Sequence, residues 1–168
     1  SRLKGTYLQR ETGYRRGVLV YCHELNGDRW NATPYIEGLR TNGYDVFTFD
    51  FRNHGSSDCI PDYEPLPWVT RHEVDDVLAA VGYVCEREGI GRVGVLGVSK
   101  GGTAALAAAT EDCRIRALIL DGVIPTEQMQ VYFTRRFMPI YVKHSDFLQM
   151  LPDFSLGMLG VWAKLILG

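Results

Sequence analysis

Short apolar runs alternate along the chain with longer segments in which apolar residues recur every three or four positions. The clearest runs cover residues 18–22, 45–51, 93–96 and 116–120, and residues 3–8 are a candidate for an additional edge strand. A continuous apolar run is typical of a strand covered on both faces, whereas the longer period indicates one face of a helix. The alternation predicts an α/β fold with a mostly parallel sheet and helices on both faces.

The boundaries of the helices are indicated by capping residues. Asn31 or Thr33 can cap a first helix that has Pro34 in its first turn. A second helix is expected to begin at the capping box formed by Thr70 and Glu73 and to end near Gly89, and residues 100–110 form an alanine-rich third helix. From residue 123 onward the chain is rich in Met, Phe, Tyr and Pro, which predicts short helices laid over the sheet. Residues 1–122 are therefore expected to form the core and residues 123–168 a separate covering segment.

Composition and charge exclude several classes of function. The chain has 168 residues, and its 18 Lys and Arg nearly balance its 20 Asp and Glu. The charges are scattered, so no basic stripe indicates a nucleic-acid partner. The apolar stretch at residues 156–168 is interrupted by Lys164 and is shorter than the roughly 20 residues that a membrane span needs. We therefore expect neither nucleic-acid binding nor a membrane-spanning segment.

The four cysteines, Cys22, Cys59, Cys85 and Cys113, are widely spaced and include no CxxC pair. Without such a pair, and with no histidine spaced to complete a zinc pattern, a metal site is not expected, and nothing indicates another cofactor. Cys22 and Cys85 lie in apolar segments, where a free cysteine usually behaves as a small buried hydrophobic residue. Free thiols favour a reducing compartment such as the cytoplasm.

One motif can carry nucleophilic chemistry. Residues 97–102 read GVSKGG and lie directly between a predicted strand and the alanine-rich helix. Glycines on both sides of a serine suit a sharp strand-to-helix turn that holds the serine in a strained conformation and raises its hydroxyl above the sheet edge. The alternative is a glycine-rich turn that only packs a helix closely on a strand.

The chain resembles the α/β-hydrolase family through three motifs that occur in the expected order. They are residues 23–27 (HELNG), residues 50–57 (DFRNHGSS) and residues 97–102 (GVSKGG). The middle motif is similar to the family's D-x-R-G-H-G-x-S loop, whose role is architectural. In this chain Asn53 stands where the family has the first glycine of that loop. The resemblance implies an α/β-hydrolase core followed by the beginning of a helical cap, and it identifies the chain as the front portion of a longer enzyme.

The resemblance also implies roles for individual residues. Ser99 corresponds to the nucleophile, and the backbone N–H groups of Leu25 and Lys100 correspond to the donors of the oxyanion hole. The Lys100 side chain is expected to be solvated, and His23 to hydrogen-bond within its turn. Glu24 departs from the family pattern, in which a glycine usually follows the histidine. A carboxylate beside this site opposes negative charge unless it is paired or points away.

The catalytic acid and base are less evident. Asp121 ends a predicted strand after which some family members place the acid, although a structural carboxylate at the sheet end is the alternative. His144 is the only histidine after Ser99 and lies in the covering segment, whereas His54 and His72 precede the motif and are interpreted as exposed or capping residues. We therefore expect the rest of the polypeptide, or a second chain, to supply the acid and the histidine.

The resemblance implies a serine hydrolase that cleaves a small-molecule ester, thioester or amide through an acyl-enzyme on Ser99. An acyltransferase would use the same residues. A different class of function stays open, namely a catalytically silent scaffold that binds a small apolar ligand or a protein. A dinucleotide-binding domain is disfavoured, because no G-x-G-x-x-G follows the first clear strand.

Overall fold

The computed structural model of the chain describes residues 1–123 and the single positions 128, 132 and 135. The chain divides into two compact units, Ser1–Val123 and Ile124–Gly168. The elements of the first unit are β1 (Gly5–Leu8), β2 (Gly17–Cys22), α1 (Thr33–Thr41), β3 (Tyr44–Phe49), α2 (Arg71–Glu88), β4 (Val93–Val98), α3 (Lys100–Glu111) and β5 (Ile115–Asp121). The cap expected at residues 123–168 lies almost wholly outside the described residues and stays a prediction.

The strands of the first unit form a single sheet in the order β1-β3-β2-β4-β5. β1 is antiparallel to β3, and the other neighbours are parallel. The predicted α/β class and each predicted strand are confirmed. β3 ends at Phe49, earlier than expected, because the chain turns at Asp50, whose buried carboxylate accepts the backbone N–H groups of Arg29 and Ser56 at 2.7 and 2.8 Å.

Helices cover both faces of the sheet. α2 and α3 pack on one face with the larger hydrophobic cluster, in which Val77, Val81 and Val84 of α2 are fully buried. α1 packs on the other face against a smaller cluster around Tyr21 and Leu96. Each fully buried valine stabilises the fold by roughly 1.5–3 kcal/mol. Because the cluster on the α2 face is the larger of the two, it provides more of the hydrophobic stability.

Pro34 lies in the first turn of α1 as predicted, but the cap of this helix differs from the prediction. A short 3₁₀ helix, Arg29–Ala32, precedes α1, and the side chain of Asp28 caps it by accepting the Trp30 N–H at 2.7 Å. Neither of the predicted capping residues caps α1. The Asn31 amide donates to Glu24 instead, and the Thr33 hydroxyl donates to the Trp30 carbonyl. Both side chains therefore have other hydrogen-bond partners.

The boundaries of α2 agree with the prediction. The Thr70 side chain and the Glu73 carboxylate form the expected capping box. Gly89 ends the helix in the left-handed conformation, with φ 62°, which glycine adopts without strain. The capping signals therefore predicted both ends of this helix correctly.

All four cysteines are free. Cys22 and Cys85 are buried, as predicted, and Cys59 and Cys113 are exposed. Within the described part of the chain, no group of three or more His, Cys, Asp or Glu residues could hold a metal ion. No helix among those same residues is long and apolar enough to cross a membrane.

Candidate active site

Ser99 is the single residue between β4 and α3, and its backbone is strained. Its torsion angles are φ 50° and ψ −116°, a region that residues with a side chain rarely adopt. Such a conformation costs about 1–3 kcal/mol and persists only where the surroundings impose it. The Ser99 N–H donates to the carbonyl of Asp121 at 2.7 Å, and the Ser99 carbonyl accepts the N–H of Thr103 at 3.1 Å. The strained serine is thus held between β5 and the first turn of α3.

The glycines around Ser99 are required by close backbone packing. A methyl group on Gly97 would collide with the backbone of Gly102, and one on Gly101 would collide with the carbonyl oxygens of Cys22 and His23. The first turn of α3 is therefore in direct contact with the end of β2. The sequence left two interpretations of this turn, a strained catalytic serine or a glycine-rich turn that only packs a helix on a strand. The structure combines a strained Ser99 with close packing of α3 on the sheet.

The register of the sheet places the candidate residues at one edge. Cys22 pairs with Gly97 across β2 and β4, and Val98 pairs with Asp121 across β4 and β5. The chain leaves all three strands at this edge, because they are parallel. Ser99 therefore lies directly beside Asp121, Lys100 follows it as the first residue of α3, and Leu25 belongs to the turn that follows β2.

That turn is closed by its own hydrogen bonds. The Gly27 N–H donates to the Glu24 carbonyl at 3.1 Å, and Asn26 has a positive φ of 62°. The Glu24 carboxylate accepts a hydrogen bond from the amide of Asn31. Glu24, which departs from the family pattern, is thus a paired side chain.

His23 has the structural role expected from the sequence. Its Nδ1 lies 2.7 Å from the Glu24 carbonyl and donates to it, and its Nε2 accepts the N–H of Phe51 at 3.1 Å. These two bonds fix the neutral tautomer with the proton on Nδ1. Burial lowers the pKa of His23, which also favours the neutral ring.

The other two histidines of the described region also have partners. His54 Nδ1 donates to the carbonyl of Arg52 at 2.9 Å, and His72 Nδ1 accepts from the Arg52 guanidinium at 2.8 Å. None of the bonds made by His23, His54 or His72 involves the Ser99 hydroxyl. His144, the remaining histidine of the sequence, lies outside the described residues.

Asp121 contacts the turn around Ser99 through its main chain and α1 through its side chain. Its carbonyl accepts the Ser99 N–H, and its carboxylate accepts the hydroxyl of Tyr35 at 2.7 Å. The hydrogen bond to Asp121 raises the pKa of Tyr35 above the ordinary value for tyrosine. The exposed Asp121 side chain is therefore oriented by a residue that the sequence did not single out.

The expectation that the Lys100 side chain is solvated is wrong. This side chain is only 4% exposed, and its ammonium group forms an ion pair with Glu73 at 2.7 Å. Glu73 also accepts hydrogen bonds from the Thr70 hydroxyl and N–H, both at 2.7 Å, and from the Tyr63 hydroxyl. A buried ammonium group needs such a partner, because its desolvation is costly.

Burial and the contacts within the pair act in opposite directions on the pKa of each partner. Burial alone would raise the pKa of Glu73, but the hydrogen bonds from Lys100, Tyr63 and Thr70 outweigh it and lower that pKa below its ordinary value. Burial lowers the pKa of Lys100, and the contacts with Glu73 partly offset this effect. Glu73 is therefore held as the carboxylate that the ammonium group requires.

The loop after β3 is architectural, as its sequence suggested. Asp50 is fully buried, pairs with Arg29 and fixes the loop through the backbone of Ser56. Asn53 has a φ of 59°, a left-handed conformation that glycine and asparagine tolerate best. The replacement of the family's glycine by Asn53 is thus compatible with the loop geometry.

The comparison with protein families identifies the class of this protein. Residues 17–155 match the family model described as alpha/beta hydrolase fold. This match covers most of the chain and agrees with the sheet order, the strained serine and the two preceding loops. The chain belongs to the alpha/beta hydrolase fold family.

Individual relatives agree with this assignment. Over 105 residues the chain is 34% identical to the thiohydrolase aneE of Aspergillus aculeatus, an alignment that covers 61% of this chain and 32% of the relative. The fold is similar to that of a proline iminopeptidase of Mycobacterium smegmatis, with TM-score 0.62, 22% identity and coverage of 88% of this chain and 54% of that one.

An esterase of Pyrococcus furiosus gives a TM-score of 0.61 with 21% identity, over 97% of this chain and 61% of the esterase. The aligned regions account for 32% to 43% of the length of the curated relatives that the chain matches. These matches therefore describe a part of each relative.

Proposed function

We propose that the chain is the front portion of a serine hydrolase in which Ser99 attacks the carbonyl carbon of a small ester, thioester or amide. Attack forms a covalent acyl-enzyme on the Ser99 oxygen and releases the alcohol, thiol or amine, and water then releases the acid. The name of the thiohydrolase relative makes a thioester the first substrate class to test.

The observation that carries this proposal is the strained backbone of Ser99. A φ of 50° at a serine is costly, and the glycines that make the turn possible are packed against β2 and β4. Of the described residues with a side chain, two asparagines share a positive φ, and asparagine tolerates that conformation. A serine in this position supports a catalytic role for its hydroxyl.

The same turn suits the stabilisation of negative charge. The Lys100 N–H lies at the first residue of α3, where the helix dipole favours an anion. The Leu25 N–H belongs to the turn after β2, which is adjacent to β4 in the sheet. We propose these two groups as the donors to the oxyanion, and the pairing of Glu24 with Asn31 ties the nearby carboxylate to another partner.

The general base and its acid partner are proposed to lie outside the described residues. The described histidines are bonded elsewhere, and Asp121, the candidate acid of this region, is bonded to Tyr35. The rest of the polypeptide, or a second chain, would supply the histidine. With His144 interpreted as a histidine of the covering segment and not as the base, residues 1–168 alone are expected to turn over no substrate.

Labelling with a fluorophosphonate probe tests the proposal. The complete gene product should react at Ser99, the Ser99→Ala variant should not, and the matched control Ser56→Ala, which removes an exposed hydroxyl, should react like the wild type. Equal labelling of wild type and Ser99→Ala refutes the proposal. A folded wild type that is not labelled but binds small apolar ligands identifies the silent scaffold instead.

A further inference from the structure

We propose that Glu73 and Lys100 are positioning residues for the nucleophile: their buried ion pair holds the turn around Ser99 in its reactive geometry. The inference rests on the proposed function, because it assigns the pair a role in the reaction of Ser99. Neither side chain is proposed to touch the substrate; Lys100 contacts the oxyanion through its backbone N–H alone. The alternative is that the pair contributes to folding alone.

The position of Lys100 in its helix is unusual. It is the first residue of α3, where the helix dipole disfavours a positive charge, and its side chain is 4% exposed. Both conditions destabilise an ammonium group unless a carboxylate compensates for them. The Glu73 carboxylate at 2.7 Å does so, and the position of Lys100 is therefore coupled to that of Glu73.

Glu73 is itself fixed at the start of α2. Its second carboxylate oxygen accepts the N–H and the hydroxyl of Thr70, and its first oxygen accepts the Tyr63 hydroxyl together with the ammonium of Lys100. Four donors therefore hold one carboxylate that is 2% exposed. A side chain bonded to this group has little freedom to move, so α2 provides a fixed point for the residue next to Ser99.

The contacts of Ser99 explain why such a fixed point would affect the reaction. Its strained backbone is held on one side by the carbonyl of Asp121 and on the other by the contact of Gly101 with the end of β2. The pair between Glu73 and Lys100 adds a third anchor, from α2. Loss of this anchor would let the residue after the nucleophile move, and with it the N–H group proposed to bind the oxyanion.

Three variants of the complete gene product separate positioning from folding. Glu73→Gln keeps a capping-box side chain but leaves Lys100 without a charged partner, and Lys100→Met keeps the length of the side chain but leaves Glu73 unpaired. The double variant removes both charges, so no unpaired buried charge remains and folding is favoured. The matched control is Arg71→Met with Glu111→Gln, which removes an ion pair of 2.7 Å that is 61% and 40% exposed and joins the same two helices.

The measurement is the fluorophosphonate reaction, resolved into the limiting rate of labelling and the probe concentration at half-saturation, with circular dichroism to select folded variants. Positioning predicts that the limiting rate falls about 10- to 100-fold in the folded single and double variants while half-saturation and the control pair are unchanged. A folded double variant that is labelled at the wild-type rate overturns the inference. Absence of labelling in the wild type overturns the proposed function, and the role of the pair with it.

Discussion

Substitution of Gly101 by alanine tests whether close backbone packing holds the turn around Ser99. The added methyl group would lie 2.6 Å from the carbonyl carbon of Cys22, whereas ordinary contacts begin at 3.4 Å. The obstructing atoms belong to the backbone of β2 and to the carbonyl of His23, and they cannot rotate away. The start of α3 must therefore move away from the sheet by about 1 Å, a displacement on the scale that can cost a hundredfold in rate.

The effect on stability can be estimated against a matched control. Gly38 lies in α1, is exposed, and would present its methyl group to open space. Gly38→Ala should stabilise the protein by about 0.5–1 kcal/mol, because alanine is the better helix former. Gly101→Ala gains part of the same benefit but overpacks a site between helix and strand, so we expect a net loss of about 1–3 kcal/mol.

The assay compares both variants by denaturant unfolding and by the labelling rate of Ser99. Gly38→Ala should unfold at a higher denaturant concentration than wild type and be labelled at the same rate. Gly101→Ala should unfold at a lower concentration, and its folded fraction should be labelled about 100-fold more slowly. If Gly101→Ala is as stable as Gly38→Ala, the contact with β2 is not tight and the reasoning is refuted.

Two further predictions concern His23 and the strain at Ser99. Burial lowers the pKa of His23 below its ordinary value of 6.5. The neutral ring therefore contributes fully to stability above pH 6.5. This contribution declines as the pH falls, because the unfolded ring then binds a proton that the folded ring excludes. The unfolding free energy of wild type should therefore fall more steeply between pH 7.5 and 5 than that of His23→Asn, and parallel curves would contradict this. Ser99→Gly should be more stable than Ser99→Ala by about 0.5–2 kcal/mol in thermal unfolding, because glycine alone adopts this backbone without strain; equal stability would show that the strain is negligible.

The sequence predicted those parts of the fold that depend on local pattern. The apolar run at residues 18–22 is buried on both faces of the sheet, and Thr70, Glu73 and Gly89 mark the ends of α2 as expected. The predicted capping residue of α1 was wrong because the side chains of Asn31 and Thr33 have competing hydrogen-bond partners. A capping signal is reliable only where no neighbouring group takes the side chain.

The partners within the site could not be predicted, because they come from distant parts of the chain. Lys100 and Glu73 are 27 positions apart, and Tyr35 and Asp121 are 86 positions apart. Their contacts follow from the packing of α2 beside α3 and of α1 against the other face of the sheet. One indication was present in the sequence: a lysine at the first position of a buried, alanine-rich helix is unfavourable unless a carboxylate approaches it.

The two departures from the family pattern bear on the choice between an enzyme and a silent scaffold. Asn53 stands at φ 59°, where asparagine is tolerated, and Glu24 is bonded to Asn31, so neither departure is evidence against catalysis. The scaffold hypothesis then rests on one observation, that no histidine among the described residues is bonded to the Ser99 hydroxyl. In a silent scaffold, replacing the strained serine with glycine would raise stability without loss of function. In an enzyme the same replacement would remove the nucleophile. The serine at this position therefore favours the enzyme.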